Sequence, residues 1–501
     1  MDRPALAPLA LACTFTLALA ACGDDTGMTV SASASGGSTQ GPTTVTPTTA
    51  GPGSDSDSEA TPTSAGSGSA SDSEATTQTP TTDPGTSTGP GPGTTTTGVS
   101  ASSTTTGDGT TVGVDDSGTS GASSTGEPMK LDMGVEDCEA KCGNTDWSYV
   151  WIANSGENTL SKLDTRLMTE DGRYYTRPDQ QGSPSRTSVS VDGKAVAVAN
   201  RSGGLTKVWA RKEFCADKNG NGQIETSTGK LNVLPFGQDE CVAWYTAFPD
   251  ATSQRPVAWT SGVYNPKTCE YDDQKIWTAA ANGQKGATWP CDGSPGITVY
   301  RVDGDTGTVE DTIPMPDVTC GGTLGPYGAA VDANNDLWMY IWSAGKILHV
   351  DHDTLAYETY NGGSYGITVD KKGRVWIDSG QRFDPLTKIW SNQIGNQPGN
   401  GGSGVAEDLK GRIWKATSGG VGWVDGETMV VGDTVILPIN GLARGIGVDV
   451  DGYIWAVMLG GTTAYRIHPD TYKIDAYAGL NQPYTYSDMA GGQINQVVCP
   501  Q

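Results

Sequence analysis

The chain has 501 residues, of which 57 are acidic and 32 are basic, and its formal net charge is -25 at pH 7. Binding of nucleic acid needs a basic face that meets the phosphates, so this charge balance argues against a nucleic-acid partner. An acidic surface keeps a protein soluble and attracts cations.

The N-terminus has the pattern of an export signal. Arg3 precedes an apolar run over 6–19, which is short for a membrane span. The run ends in Leu-Ala-Ala-Cys-Gly, which resembles the lipobox of bacterial lipoproteins, in which the cysteine is acylated. An ordinary secretory signal with a chance cysteine is the alternative. We therefore expect a signal peptide over 1–21 and a lipid anchor at Cys22, with the protein in the cell envelope at the outer membrane or cell surface.

Residues 22–130 consist almost entirely of Ser, Thr, Gly, Pro, Asp and Ala. Because large apolar side chains are nearly absent, burial cannot offset the entropy cost of ordering this backbone. The composition predicts a disordered tether with a span of roughly 50–60 Å. Such a tether would hold the following domain away from the membrane.

The rest of the chain contains a repeat. Each unit has a glycine with a short apolar strand, an aspartate turn, and a strand that carries tryptophan. The tryptophans of the four clearest units are 38, 38 and 41 residues apart, at Trp338, Trp376, Trp414 and Trp455. Each unit continues with a third strand, a turn and a fourth strand. Four short strands in a period of about 40 residues are typical of one blade of a β-propeller.

The earlier units are more divergent, and their second strands are placed at Trp151, Val196 and Trp277. Together with the four tryptophans they predict seven four-stranded blades, with six or eight as alternatives because ring closure is not visible in a sequence. The predicted fold class is therefore all-β, with a propeller over 131–501 and very little helix. We expect a monomer.

Eight of the ten cysteines follow the lipobox, and an even number in an exported protein predicts disulfides. The local candidate pairs are Cys215 with Cys241 and Cys269 with Cys291. A zinc site is a weaker alternative, because no CxxC pair or nearby histidine accompanies these cysteines.

The segment 217–225 reads Asp-Lys-Asn-Gly-Asn-Gly-Gln-Ile-Glu, which fits the first half of an EF-hand-type calcium loop. The predicted ligands are Asp217, Asn219, Asn221, Gln223 and Glu225. The acid expected at the twelfth position is missing, since Thr228 stands there. One interpretation is a structural Ca²⁺ site, and the other is an Asn/Gly-rich turn held by Cys215 and Cys241.

The repeat, as in Gly-Ile-Thr-Val-Asp at 366–370 followed by Gly-Arg-Val-Trp at 373–376, resembles that of the virginiamycin B lyase (streptogramin lyase) and NHL-like propellers. The resemblance covers roughly 147–485. It implies the propeller and, as a possible activity, elimination on a cyclic depsipeptide with Mg²⁺ and with His and Glu residues at the central funnel. Blades of that family often begin Pro-His-Gly, whereas 326–328 reads Pro-Tyr-Gly here.

The chain's three histidines, His349, His352 and His468, fall on a third strand or in the turns after third strands, which argues against the lyase chemistry. In a propeller, the funnel is lined by residues just before and on the first strands. On that basis the candidate ligand contacts are Arg186, Tyr327, Tyr365, Glu407 and Arg444. Each of them has packing or a place at the rim as its alternative.

Arginine and aromatic side chains suit a glycan, a peptide or a small organic acid. The leading hypothesis is a lipid-anchored surface propeller that acts as a binding or scaffold module through its central funnel. The alternative is a metal-dependent lyase or a lactonase-like hydrolase that acts on a cyclic ester, with Mg²⁺ required only by the lyase.

Overall fold

The computed structural model describes residues 146–283, 291, 295–320, 324–342, 344–392, 402–417, 419–438, 441–486 and 488–498. The predicted signal peptide, the lipidation site at Cys22 and the tether over 22–130 lie outside these residues. Within the described ranges, no helix has the length and apolar character needed to cross a membrane.

Seven antiparallel sheets follow one another along the chain, and we number them blade 1 to blade 7. Blade 1 contains β1 (Tyr149–Asn154), β2 (Thr159–Asp164) and β3 (Thr169–Tyr175). Blade 2 contains β4 (Pro184–Val189), β5 (Ala195–Asn200), β6 (Leu205–Trp209) and β7 (Val242–Thr246). Blade 3 contains β8 (Val257–Trp259), β11 (Lys275–Ala281), β12 (Ile297–Asp303) and β13 (Val309–Met315), with a separate hairpin of β9 (Val263–Asn265) and β10 (Glu270–Asp272).

The last four blades repeat most regularly, with their strands paired in chain order. Blade 4 contains β14 (Gly325–Val331), β15 (Leu337–Trp342), β16 (Lys346–Val350) and β17 (Tyr357–Asn361). Blade 5 contains β18 (Ile367–Val369), β19 (Val375–Ile377), β20 (Arg382–Asp384) and β21 (Ile389–Trp390). Blade 6 contains β22 (Val405–Glu407), β23 (Arg412–Thr417), β24 (Gly420–Asp425) and β25 (Val431–Ile436). Blade 7 contains β26 (Ala443–Val448), β27 (Ile454–Met458), β28 (Thr463–Ile467) and β29 (Ile474–Ala478), and α1 (Gly492–Val498) follows it.

Blade 1 is completed by a segment that follows blade 7. The backbone N–H of Tyr484 donates to the carbonyl of Ala153 at 3.1 Å, and that of Trp151 donates to the carbonyl of Met489 at 2.9 Å. Residues 483–486, which we call the closing segment, therefore stand in the place of the innermost strand beside β1. This makes β1 a second strand and confirms both the seven blades and the all-β fold class.

The repeat motif has a direct structural reason. The tryptophan of each regular unit is buried, and its indole N–H donates to the aspartate six residues earlier, at 2.7–3.0 Å. In blade 5, for example, Trp376 Nε1 donates to Asp370 Oδ2 at 2.7 Å. The bond ties the second strand to the turn that follows the first, so the spacing of Asp and Trp is fixed by the blade.

The two ends of the inner strands differ. At the ends where β14 and β22 finish, α1 packs over the channel. Gln493 Nε2 donates to the carbonyl of Val331 at 2.8 Å, and Gln496 Nε2 donates to the carbonyl of Glu407 at 2.6 Å. The opposite end, where the inner strands begin, holds the residues described below.

One of the two disulfide predictions is confirmed and the other is wrong. Cys215 is bonded to Cys241, with 4.8 Å between their Cα atoms. Cys291 is bonded to Cys320 rather than to Cys269, with 5.7 Å between the Cα atoms. The predicted pair fails because β11 lies between the two cysteines in the chain, and seven extended residues carry the backbone roughly 20 Å. Cys269, in the β9–β10 hairpin, is disulfide-bonded to a different partner.

Candidate functional site

Four of the five predicted funnel residues lie where the inner strands begin. Arg186 is on β4, Tyr327 on β14 and Arg444 on β26, each within the first three residues of its strand, and Tyr365 lies two residues before β18. These positions belong to blades 2, 4, 7 and 5. The inner strands of several blades thus deliver side chains to one end of the channel.

A compact group of arginines and tyrosines fills this end of the channel, and we call it the tyrosine–arginine cluster. Its members are Arg186, Arg255, Tyr327, Tyr365, Tyr484 and Tyr486. The Arg186 Cζ atom is 3.4 Å from the ring centre of Tyr486 and 4.2 Å from that of Tyr327. Arg255 Cζ is 5.3 Å from the ring centre of Tyr327. Guanidinium groups stacked on aromatic faces at these distances make favourable cation–π contacts.

Three tyrosine hydroxyls of the cluster meet. The Tyr484 hydroxyl forms hydrogen bonds with the hydroxyls of both Tyr327 and Tyr365. The rings of Tyr327 and Tyr365 pack edge to face with 4.7 Å between their centres. Burial raises the pKa values of Tyr327 and Tyr365 well above the ordinary value for tyrosine.

Arg186 is fully buried with part of its guanidinium unpaired. Its side chain is 0% exposed, and Nη1 donates to Ser185 Oγ at 3.1 Å. Its Nε and Nη2 atoms find no acceptor among the described residues, and Arg186 forms no ion pair with any of them. Burial lowers the pKa of Arg186 to about 10, and the nearby charge of Arg255 acts in the same direction. At neutral pH the guanidinium therefore still carries its charge.

The rim of the cluster adds more cations and one indole. Arg444 Cζ lies 4.5 Å from the ring centre of Tyr365, and Arg444 Nη1 donates to the carbonyl of Gly402. Arg201 Cζ lies 4.9 Å from the ring centre of Tyr484.

The half-buried indole of Trp342 packs on both Tyr327 and Tyr365, at 4.8 and 5.3 Å between ring centres. The entrance is therefore positively charged and aromatic, although the chain as a whole is acidic.

A second polar group lies between blades 5 and 6, next to Tyr365. Asp378 follows β19, and its carboxylate accepts the backbone N–H of Ser403 at 3.1 Å. Lys415 and Thr417 lie on one face of β23, because they are two residues apart. Asp378 Oδ1, Lys415 Nζ and Thr417 Oγ1 are buried without hydrogen-bond partners among the described residues. Burial raises the pKa of Asp378 and lowers the pKa of Lys415.

Glu407 is the predicted funnel residue that the structure does not bring to the cluster. It ends β22, at the end of the channel that α1 covers, and its carboxylate accepts the backbone N–H of Lys371 at 2.8 Å. The position was misassigned because β22 has only three residues, so its third residue already stands at the far end of the strand. Burial raises the pKa of Glu407 to about 7.

None of the three histidines reaches the cluster, as their sequence positions predicted. His349 lies on β16, where its ring stacks on Trp338 at 4.3 Å and its Nε2 atom meets Asp336 Oδ2 at 3.0 Å. Asp332, Asp336 and His349 are the one group of three metal-ligating side chains within the described ranges. His352 and His468 follow the third strands of blades 4 and 7.

The predicted calcium ligands are gathered in one exposed loop. The carboxylate of Asp217 accepts the backbone N–H groups of Gly220 and Gly222, each at 2.7 Å. Glu225 accepts from the side-chain amides of Asn219 at 2.8 Å and Asn221 at 2.9 Å. The loop thus closes on itself through its own polar groups, and Ca²⁺ binding there stays a prediction.

Three members of the cluster were missed in the sequence. Arg255 precedes β8, a strand of three residues whose blade is interrupted by the β9–β10 hairpin. Tyr484 and Tyr486 lie in the closing segment, beyond the last repeat. Their signal is indirect: Trp151 marks a second strand, and the innermost strand of that blade is supplied from beyond the last repeat.

These features define a seven-bladed propeller with a helix over one end of its channel and a cationic, aromatic cluster at the other. No protein-family model matches the chain, and no curated protein matches it. The chain is similar to solved structures that include a catalytically inactive virginiamycin B lyase from Staphylococcus aureus with quinupristin, at 14% identity over 59% of this chain and 84% of that chain, with a TM-score of 0.40.

Two further solved structures are similar to it. One is a streptogramin B lyase, at 16% identity over 64% of this chain and 91% of that chain, with a TM-score of 0.42. The other is AztD from Citrobacter koseri, at 10% identity over 68% of this chain and 96% of that chain, with a TM-score of 0.41. The propeller fold that the resemblance implied is confirmed by the seven sheets of the structure.

Proposed function

We propose that this protein is a binding propeller of the cell surface, anchored through Cys22 and its tether, and that the tyrosine–arginine cluster binds a small organic anion. The observation that carries the proposal is the charge of Arg186, which is fully buried with two nitrogen atoms that lack acceptors among the described residues. Burying an unpaired ion costs several kcal/mol. An anion at this position would restore both the charge balance and the hydrogen bonds.

The shape of the guanidinium indicates the kind of anion. Arginine offers two parallel N–H groups that match the two oxygens of a carboxylate. The aromatic walls of Trp342 and Tyr484 suit a small ligand with an apolar face. A carboxylate is therefore the preferred anion of this site.

The polar group of Asp378, Lys415 and Thr417 extends the site beyond the anion. Its unpaired oxygen and nitrogen atoms call for a ligand that carries hydroxyl or amino groups as well as the carboxylate. Hydroxy acids and acidic sugars combine these features. They also fall within the small organic acids and glycans that the composition of the funnel suggested.

A binding experiment with matched neutral compounds tests the proposal. We would measure thermal unfolding of the purified protein with lactate, with lactamide, and with a panel of sugar acids and their neutral sugars. Because a ligand that binds only the folded state stabilises it, we expect the acids, but not the neutral partners, to raise the melting temperature.

Two variants assign the effect to the cluster. Arg186→Met removes the buried charge and should abolish the response to acids. Arg166→Gln is the control, since Arg166 is 40% exposed and pairs with Asp451 away from the cluster. Equal stabilisation by lactamide, or an unchanged response in the Arg186 variant, would show that the cluster is not an anion site.

The described contacts give the lyase alternative no support at this site, because the three histidines lie in the blades. We therefore propose binding rather than elimination as the function.

A further inference from the structure

Tyr484 is the shared member of the three tyrosine hydroxyls. Three neutral hydroxyls bring three protons to the two hydrogen bonds that join them. If Tyr484 is ionised, its oxygen accepts both bonds, and the protons of Tyr327 and Tyr365 are both used. If Tyr484 is neutral, it donates one of the two bonds and accepts the other. Hydrogen bonds to the charged form favour it, and only the ionised oxygen accepts from both partners.

Among the described residues, three arginines on or beside three different strands face Tyr484. Arg186 on β4 has its Cζ atom 5.9 Å from the ring centre of Tyr484, and Arg201, just after β5, has its Cζ atom at 4.9 Å. Arg255, before β8, is the charge that acts most strongly on Tyr484. The other titratable neighbours are tyrosines, namely Tyr327 on β14, Tyr365 before β18 and Tyr486 in the closing segment.

These contacts outweigh the effect of burial. Burial alone would raise the pKa of Tyr484, but the guanidinium groups of Arg255 and Arg186, with the hydroxyls of Tyr327 and Tyr365, lower it below the ordinary value. Burial raises the pKa values of the two donor tyrosines instead. One hydroxyl of the three is thus selected for ionisation.

We propose that Tyr484 is a resident phenolate and that the cluster takes up a weak acid in two parts, the anion on the guanidinium of Arg186 and the proton on the Tyr484 oxygen. The carboxylate arrives already ionised, so the proton comes from the solvent: an O–H bond of hydronium or of the buffer acid breaks, a phenol O–H bond forms at Tyr484, and no other atom or electron is exchanged. The ionisation of Tyr484 is inferred from the contacts described above. The uptake of a proton together with a ligand rests on the proposed function.

Tyr484 is more exposed to solvent than Tyr327 and Tyr365, the two tyrosines that it contacts. Tyr327 and Tyr365 are 1% and 5% exposed, whereas Tyr484 is half-buried on the closing segment. Of the three tyrosines, Tyr484 is therefore the one that a ligand arriving from the rim can contact first. Because the incoming anion weakens the positive field that keeps Tyr484 ionised, it favours return of the proton.

A titration of tyrosinate absorbance in the near-ultraviolet tests the phenolate without any ligand. We expect one of the 18 tyrosines to ionise at a lower pH than the exposed ones, which ionise near pH 10. The early step should vanish in Tyr484→Phe and move to higher pH in Tyr327→Phe, which removes one donor. Tyr360→Phe, on β17, should leave it unchanged. An early step that persists in Tyr484→Phe, or its absence from the unaltered protein, would overturn the proposal.

Calorimetry with lactate as the probe tests the coupling. Titrations in two buffers of different ionisation enthalpy report the protons taken up on binding. We expect uptake in the unaltered protein and none in Tyr484→Phe. Binding without proton uptake would overturn the coupling. A protein that shows the early step but binds no organic acid would refute the proposed function and leave the phenolate established.

Discussion

Arg173 and Arg186 are both buried, but their surroundings are opposite. Arg173 donates to Glu157 and Glu170, each at 2.8 Å, and to the carbonyl of Gly479 at 2.7 Å. Within the part of the chain that the structure describes, the Arg186 side chain has a single hydrogen bond, to Ser185. The first charge is therefore paired within the fold, whereas the second has no acidic partner among the described residues.

Replacement of each arginine by methionine should show this difference. Arg173→Met leaves two carboxylates without their partner, so we expect a loss of about 3–5 kcal/mol in the free energy of unfolding. Arg186→Met removes a charge that pairs with no carboxylate among the described residues and that packs on aromatic rings, so we expect a smaller loss, of about 0.5–2 kcal/mol. Urea unfolding of both variants measures the contrast. Equal losses would mean that Arg186 is already satisfied within the fold.

The residues of the cluster could be predicted where they follow the repeat. Tyr327, Tyr365 and Arg444 precede or begin the inner strands of regular blades, and that rule alone located them. Arg255 escaped because its strand is short and its blade is interrupted. Glu407 was assigned wrongly, since a strand of only a few residues carries the chain from one end of the channel to the other.

At the scale of elements, the packing of β22 against α1 holds a carboxyl group in an unfavourable place. Glu407 is 6% exposed, and burial raises its pKa from the ordinary 4.5 to about 7. The folded state therefore keeps a proton that the unfolded chain has already lost between these two pH values. The free energy of unfolding should rise as the pH falls from above 7 towards about 4.5, and level off below it.

Glu407→Gln should remove this contribution. We expect the variant to be more stable than the unaltered protein by roughly 2–4 kcal/mol at pH 8, and about equally stable at pH 4. Denaturant unfolding at the two pH values measures the difference. Burial also raises the pKa values of Asp449 and Asp488 to about 6, so some pH dependence of the same sign should remain. A variant with unchanged slope would show that Glu407 stays ionised in the folded protein.

The loop of Asp217 calls for a separate prediction. Its polar groups already bond to one another, and Ca²⁺ would have to displace the amide bonds from Asn219 and Asn221 to Glu225. We therefore expect weak binding, with Kd on the order of 10⁻⁴–10⁻³ M, as in extracellular calcium modules. Isothermal titration should detect it in the unaltered protein and not in Asp217→Asn. Identical titrations of the two proteins would favour the interpretation as a plain turn.

The elements themselves divide into those that the sequence specifies and those that it does not. Asp370 and Trp376 are linked by a hydrogen bond that recurs in blades 4, 6 and 7, so the spacing of Asp and Trp identifies those blades. The pairing of Cys291 with Cys320 and the docking of α1 depend on contacts between distant parts of the chain. No local pattern marks such contacts, and these features could not be predicted.

For the whole molecule, the closing segment has two roles: it closes the ring, and it supplies part of the candidate site. The closing segment completes blade 1 through the backbone of Tyr484, and the side chain of the same residue enters the tyrosine–arginine cluster. Arg186, on blade 2, packs on Tyr486 of that segment. A ligand held by Arg186 and Tyr484 would therefore link the first blades of the propeller to the segment that follows the last.

Hydrogen exchange can detect this linkage. Opening of the closing segment breaks the bond from Tyr484 N to Ala153 and exposes the cluster, so a ligand that needs the closed form must suppress the opening. We expect a saturating organic acid to slow exchange at the Tyr484 amide by a larger factor than at amides in the outer strands of blade 5, which contact neither the ligand nor the closing segment. In Arg186→Met the acid should change neither rate. Equal slowing across all blades would mean that the acid stabilises the folded state through sites spread over the surface, and that closure and binding are independent.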